Sequence, residues 1–361
     1  MRKYGCLCLL AIALAACGGR GYRSVNPFIK DPPKASLELV AESQNRWTGI
    51  GISRKGRIFV CFPRWSPQVP VSVGEIVGGA VKPFPDEGWN SWTDGGPSTN
   101  LFVCVQSVVV DDEDHLWILD PASPYLQGVV DEGARIYKFE LEGNTLVRSY
   151  SIPSPVAPRQ SYLNDIRVDT ASRTAYITDS GLGAIVVVDL GSGKSIRRLD
   201  NHFSTKAELD RITVEGAPVE AKIHADGISL SPDGKYLYYQ ALCARHLYKV
   251  PAKDLRDASI PEDLLESRVE QAGEVGVNDG ILGDRYGNIF LSGLESNSIN
   301  MLTAEDRLIP IVQDRRIQWP DTFSMDPGGT VYFSVAQLHL PPDPSNPYKI
   351  FRIIFDGPRQ P

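Results

Sequence analysis

The chain has 361 residues, 42% of them hydrophobic and 22% charged, with 44 acidic against 37 basic side chains and a net charge of −7. That composition is ordinary for a water-soluble globular protein. The acidic balance, with no run rich in Lys or Arg, argues against a nucleic-acid partner.

The first element is an export signal over residues 1–16: Arg2 and Lys3 precede an apolar run from Cys6 to Ala16 that is too short to span a bilayer. The run ends Leu14-Ala15-Ala16-Cys17-Gly18, similar to a bacterial lipobox, in which Cys17 would carry lipid. Cleavage of an ordinary signal at Ala13-Leu14-Ala15 is the alternative. Residues 17–33 then read as a tether, and the chain is expected to be exported as a cell-envelope lipoprotein or, failing lipidation, secreted. Membrane contact would be through that lipid only.

From residue 34 to 361 the sequence reads as one all-β domain. After an isolated strand signal at Ser36–Ala41, a phrase of a polar residue, small or apolar alternation, a tight turn and an aromatic-rich alternation recurs. It begins at Thr48, Gln106, Asn164, Asp226, Asp279 and Asp321, at spacings from 42 residues (Asp279 to Asp321) to 62 residues (Asn164 to Asp226). A hairpin repeat of this period specifies a radial array, here a six-bladed β-propeller whose units share a continuous core. Its innermost strands should start at the six opening residues and form a polar ring at one tunnel mouth. Further alternating runs, such as Arg135–Leu141 and Ala184–Leu190, supply third strands. Pairing of Ser36–Ala41 with the last run, Lys349–Phe355, would close the ring within one blade. Short helices are expected at Ser204–Asp210 and Ala252–Arg256.

Between Pro63 and Asn100 lies a Pro/Gly/Trp-rich stretch with Trp65, Trp89 and Trp92, expected to be an irregular loop. Such a loop either lids the tunnel or covers blade edges. Beyond the signal, Cys61, Cys104 and Cys243 fit no zinc pattern; a Cys61–Cys104 bridge and three buried free thiols both remain open. There is no nucleophile-elbow motif and no Gly-rich phosphate loop, which sets aside covalent hydrolase and kinase chemistry.

Several segments in fixed order resemble the bacterial branch of the major royal jelly protein/Yellow family: Phe62–Trp65 (F-P-R-W), Val105–Asp111, Ser161–Asp165 (S-Y-L-N-D), Ala175–Gly181, Asp226–Tyr239, Leu247–Pro251, Leu294–Ile299 and Val312–Thr322. The likeness runs from about Trp47 to Leu338, with a departure at Val335–Leu338 (V-A-Q-L), where the family carries Asn before the Gln. It implies an exported propeller with a ligand pocket at the tunnel mouth. Insect relatives of this type bind small amines or are linked to dopachrome conversion, and bacterial ones are described as gluconolactonase-like by kinship of fold.

Two classes of function follow. The first is a binding propeller for a small aromatic or amine-like molecule, held by Gln106, Asn164, Asp226, Asp279 and Asp321, with Arg64, Trp65 and Trp319 at the rim. The second is an enzyme, a dopachrome-type tautomerase or a metal-dependent lactonase. In the lactonase propellers a Glu, an Asn and an Asp hold a divalent cation, which maps onto Asn164, Asp226 and Asp279 as ligands for Ca²⁺ but leaves Thr48 where the Glu belongs. His224 with Asp226 is the candidate acid/base pair. A protein-interaction scaffold is a third reading. Against all of these, each ring Asp could simply cap a strand entry by accepting backbone N–H groups.

Overall fold

The computed structural model describes residues 35–356. Six four-stranded antiparallel sheets stand around a central tunnel. Their innermost strands are Ile50–Ile52, Ser107–Val110, Leu163–Asp169, Ala225–Leu230, Asn278–Gly283 and Pro320–Met325, each beginning within two residues of an opening residue of the repeat. These define blades one to six. Blade six takes its outermost strand from the N-terminal side: Ala35–Ser43 pairs antiparallel with Tyr348–Phe355, from Ala35 opposite Phe355 to Ser43 opposite Tyr348. The expected closure of the ring is therefore present, with Ala35–Ser43 as the outer edge of blade six.

The core lies between blades, because each sheet is apolar on both faces. Trp117, Leu119 and Ile136 of blade two pack on Ile166, Ala175 and Ile177 of blade three. Phe290 and Ile299 of blade five meet Phe323, Phe333 and Phe351 of blade six in the same way. Burying these faces is what makes one blade unstable alone and the ring stable.

The stretch from Pro63 to Asn100 departs from expectation. It contains Val73–Val77 and Ala80–Pro83, the two outer strands of blade one, joined at Gly78 and Gly79 with φ +59° and +82°. Trp89 packs edge-on against Tyr137 and Phe139, with ring centroids 5.2 Å away in each case, and Trp92 is buried beneath the Arg64 guanidinium. The segment mainly covers blades one and two.

Three smaller differences concern the connections. The helix at Ala252–Arg256 is present and a second follows at Glu262–Glu266, whereas Ser204–Asp210 holds only a single 3-10 turn, Phe203–Thr205. A hairpin of Arg211–Val214 and Ala217–Glu220 stands in the link between blades three and four. Cys61, Cys104 and Cys243 are all free and buried, so the Cys61–Cys104 bridge is absent. The export signal, Cys17 and the tether lie outside the described residues, and among those described no helix is long and apolar enough to cross a membrane.

Candidate functional site

The repeated Asp-Gly phrase is a β-bulge. Pairing between the two inner strands slips between Leu163 and Ile166, Ala225 and Ile228, Asn278 and Ile281, and Pro320 and Phe323, the same place in blades three to six. Each bulge contains the ring residue and its successor: Asn164-Asp165, Asp226-Gly227, Asp279-Gly280 and Asp321-Thr322. A bulge re-aims a side chain that regular pleating would send into a blade. Blades one and two pair without a slip, so Thr48 and Gln106 are presented differently.

A bulge leaves a backbone N–H without a ladder partner, and a buried donor must find one. The second strand supplies it. The Asp165 N–H donates to Thr178 Oγ1 at 3.1 Å, the Asp279 N–H to Ser292 Oγ at 2.8 Å and the Thr322 N–H to Ser334 Oγ at 3.1 Å. Two of these hydroxyls also donate across to the next blade: Thr178 to the Asp226 carbonyl at 2.6 Å, and Ser334 to the Thr48 carbonyl. Cys61 does the same in blade one, with its sulfur accepting from the Gly49 N–H at 3.3 Å and donating to the Gln106 carbonyl at 3.1 Å. The ring is thus held by its backbone. Burial pushes the Cys61 thiol up to about 12, which keeps it an uncharged S–H able to donate.

The ring opens into a cavity of about 620 Å³. Gln106, Asn164, Asp226, Asp279, Asp321 and Trp65 all line it, with Arg46, Tyr162 and Arg159 among the polar additions and Leu126, Ile223, Leu242 and Leu338 among the apolar ones. Asn164 Nδ2 donates to Asp226 Oδ2 at 2.5 Å, and Trp319 Nε1 donates to Asp279 Oδ2 at 2.7 Å. On the opposite side Trp65 Nε1 donates to the Tyr162 hydroxyl at 2.7 Å, which donates to Gln106 Oε1 at 2.8 Å.

Asp226, Asp279 and Asp321 are buried, and among the described residues none forms an ion pair with Lys, Arg or His. Burial is the main cause that raises all three carboxyls above the ordinary range, with repulsion from neighbouring aspartates adding to it. The side-chain bonds of these aspartates run to Asn164, Trp319 and the Thr322 hydroxyl, not to the backbone donors of a strand cap.

Three expected residues stand outside the cavity lining. Arg64 is buried, its Nε donating to the Val103 carbonyl at 3.1 Å. Trp319 is 2% exposed and acts on the cavity only through Asp279. His224 is buried, its Nδ1 accepting from the Ala207 N–H at 2.9 Å. Burial, helped by Lys206 and Lys222, lowers it to about 4, leaving a neutral imidazole engaged with the backbone. Arg46 and Arg159 carried no sequence signal, since each reaches the cavity from an irregular connection. Tyr162 lay within the S-Y-L-N-D segment without being singled out.

The residues do not fit the divalent cation of the lactonase propellers. The Thr48 hydroxyl, where that set has a carboxylate, donates to the Gln106 carbonyl at 2.9 Å and does not line the cavity. Among the described residues, the one cluster of three acidic, His or Cys side chains with ligand atoms mutually within 4.8 Å is Asp111, Glu113 and His115, at the turn of blade two. Asp226, Asp279 and Asp321 do not converge to that degree.

Comparison with known proteins follows the same lines. Among solved structures, a gluconolactonase from Xanthomonas campestris superposes with a TM-score of 0.57 at 14% identity, over 94% of this chain and 99% of that one. Virginiamycin B lyase from Staphylococcus aureus superposes with a TM-score of 0.51 at 13% identity, over 89% of this chain and 99% of that one. At such identities the likeness concerns the fold alone. In sequence, major royal jelly protein 7 of Apis mellifera is 26% identical over 208 residues, 54% of this chain and 44% of the relative. Protein yellow of Drosophila pseudoobscura pseudoobscura is 25% identical over 256 residues, 66% of this chain and 45% of the relative. The chain thus spans less than half the length of these curated relatives. The family profile for major royal jelly proteins matches residues 103–333, which takes in five of the six ring residues and most of five blades, and the chain belongs to the major royal jelly protein family.

Proposed function

We propose that the tunnel mouth is a binding site for a small molecule with a protonated amine and an aromatic or apolar body. The observation that carries this reading is the set of three buried carboxyls, Asp226, Asp279 and Asp321, on one cavity, none of them in an ion pair among the described residues. Like charges confined together are relieved either by protons or by a bound cation. The remaining wall, with Trp65, Leu126, Ile223, Leu242 and Leu338, suits an apolar body. This favours an ammonium ligand over a bare metal ion, whose donors are incomplete, and over an anion. The neutral, backbone-bonded His224 offers no general base beside Asp226, which supports binding over a lactonase or tautomerase. The N-terminal apolar run and Cys17 support export with a lipid anchor as the setting for this binding.

Isothermal titration with 2-phenylethylamine and, separately, with Ca²⁺ tests the reading on the wild type and on Asp226→Ala. Binding of the amine at pH 7.5, weakened at least tenfold by the substitution, is the expected result. Tight Ca²⁺ binding without amine binding would overturn it in favour of the metal site. An amine affinity indifferent to Asp226 would place the ligand elsewhere.

A further inference from the structure

The cavity is bipolar. Opposite in sign to the aspartates, the Arg46 guanidinium also lines it, and Arg46 has no carboxylate within ion-pair distance among the described residues. It is half-buried and fixed. Its Nη2 donates to the Gln337 and Leu340 carbonyls at 3.2 and 2.9 Å, and its guanidinium carbon lies 5.3 Å from the centre of the Tyr348 ring. Nε is buried with no hydrogen-bond partner. Arg46 lowers Asp321 through space, but burial and the other aspartates outweigh it, so the two do not neutralise each other. A half-buried guanidinium that is immobilised by carbonyls, unpaired by any acid and open to a cavity is poised for an anion.

We propose that the ligand is a zwitterion, its ammonium on the Asp226–Asp279–Asp321 side and its carboxylate on Arg46. This rests on the cation reading of the same cavity and adds a requirement for the second charge. The sequence positions agree with it: Arg46 precedes the innermost strand of blade one, and Asp321 stands in blade six, the neighbour across the point of closure. An α-amino acid or a compound with similarly spaced charges could reach both. Arg159, exposed, also in the cavity lining and with its guanidinium bonded only to the Gln127 carbonyl at 3.3 Å among the described residues, is the less fixed of the two cations and the competing position for the carboxylate, so its substitution separates the two assignments.

The test compares L-phenylalanine with 2-phenylethylamine, which differ only by the carboxylate, by calorimetry on the wild type, Arg46→Gln, Arg46→Lys and Arg159→Gln. A charge-assisted bond to a fixed guanidinium should favour the amino acid by about tenfold or more. Arg46→Gln should abolish that preference while leaving 2-phenylethylamine within about twofold, Arg46→Lys should restore part of it, and Arg159→Gln should leave it intact. Melting curves identify any variant that fails to fold, and Arg46→Lys keeps the inference decidable should Arg46→Gln do so. A wild-type preference for 2-phenylethylamine, or loss of both ligands alike in the Arg46 variants, would overturn the zwitterion while leaving the cation site standing. Failure of both compounds to bind the wild type would overturn both.

Discussion

The bulge geometry makes a sharp prediction at Gly280. A Cβ built there would stand 1.9 Å from the Asp321 carbonyl oxygen, 3.0 Å from the Asp321 carbonyl carbon and 3.2 Å from Thr322 Cα, where ordinary contact is 3.4–4 Å. The deficit of about 1.5 Å falls on the backbone of blade six, which cannot rotate aside as a side chain would. Overpacking in a core costs about 1–3 kcal/mol when side chains can absorb it, and Gly280→Ala should lie at or beyond the top of that range. At roughly 2.1 cal/mol/K of unfolding entropy per residue, a domain of this size shifts by about 1.5 °C per kcal/mol, so the drop should be about 4 °C or more. Gly227→Ala meets the Asp279 carbonyl oxygen at 2.4 Å and should be milder. Gly273→Ala, on the outer strand of blade four with its nearest atom at 3.6 Å, should be neutral or stabilising by up to about 1 kcal/mol. Thermal unfolding followed by circular dichroism reads all three. A Gly280→Ala protein melting within 2 °C of wild type, or a Gly227→Ala protein less stable than Gly280→Ala, would refute the close packing of successive bulges.

Two further outcomes are expected. Stability should fall as pH rises from 5 to 8: burial raises Asp120 from its ordinary 3.8 to about 6, and raises Asp165 and the three ring carboxyls as well. A group whose folded pKa is raised contributes fully below its unfolded value and loses that contribution as pH climbs through the folded one. Melting temperatures across pH 5 to 8 check the sign, and a saturating cationic ligand should flatten the slope. At blade one, Cys61→Ala removes both the acceptor for the Gly49 N–H and the donor to the Gln106 carbonyl, and should cost about 1–3 kcal/mol in chemical denaturation. Cys61→Ser should recover most of that loss, since serine does the same work in blade six.

The ring of blades was readable because its repeat is local: each inner strand carries its own alternation and turn, as in Asp226–Tyr239. The bulge was not, because a slip in register is a relation between two strands and leaves no mark on either alone. Gly227 and Gly280 are small because the next blade's carbonyl presses on each, a requirement that lies outside their own strands. The outer strands of blade one were legible and overlooked. Val73–Val77 and Ala80–Pro83 flank Gly78-Gly79, a two-residue hairpin signal that the surrounding Pro and Trp residues obscured. Arg64 and Trp319 were placed at the rim for their chemistry, but their burial depends on Val103 and Asp279, partners 39 and 40 residues away in sequence. Arg46 had no local signal, because its role comes from the Gln337 and Leu340 carbonyls at the other end of the chain.

The same bulges explain why the ring is lopsided, and that asymmetry orients a ligand. Only blades three to six carry the slip, so only they turn a carboxyl or amide inward by this route. In blade one the Thr48 hydroxyl is spent on the Gln106 carbonyl, and in blade two Gln106 accepts from Tyr162, itself tied to Trp65. Negative charge therefore gathers on blades four to six, while blades one to three present a bonded aromatic and amide wall. Arg46 stands where the two halves meet at the closure of blade six with blade one. An ammonium would be drawn to the first half and a flat body to the second, with an anionic group placed at the junction. Because the bridging Thr178, Ser334 and Cys61 groups hold ring backbone and not the ring carboxyls, this charge pattern can be altered residue by residue without removing the bonds that keep the ring closed.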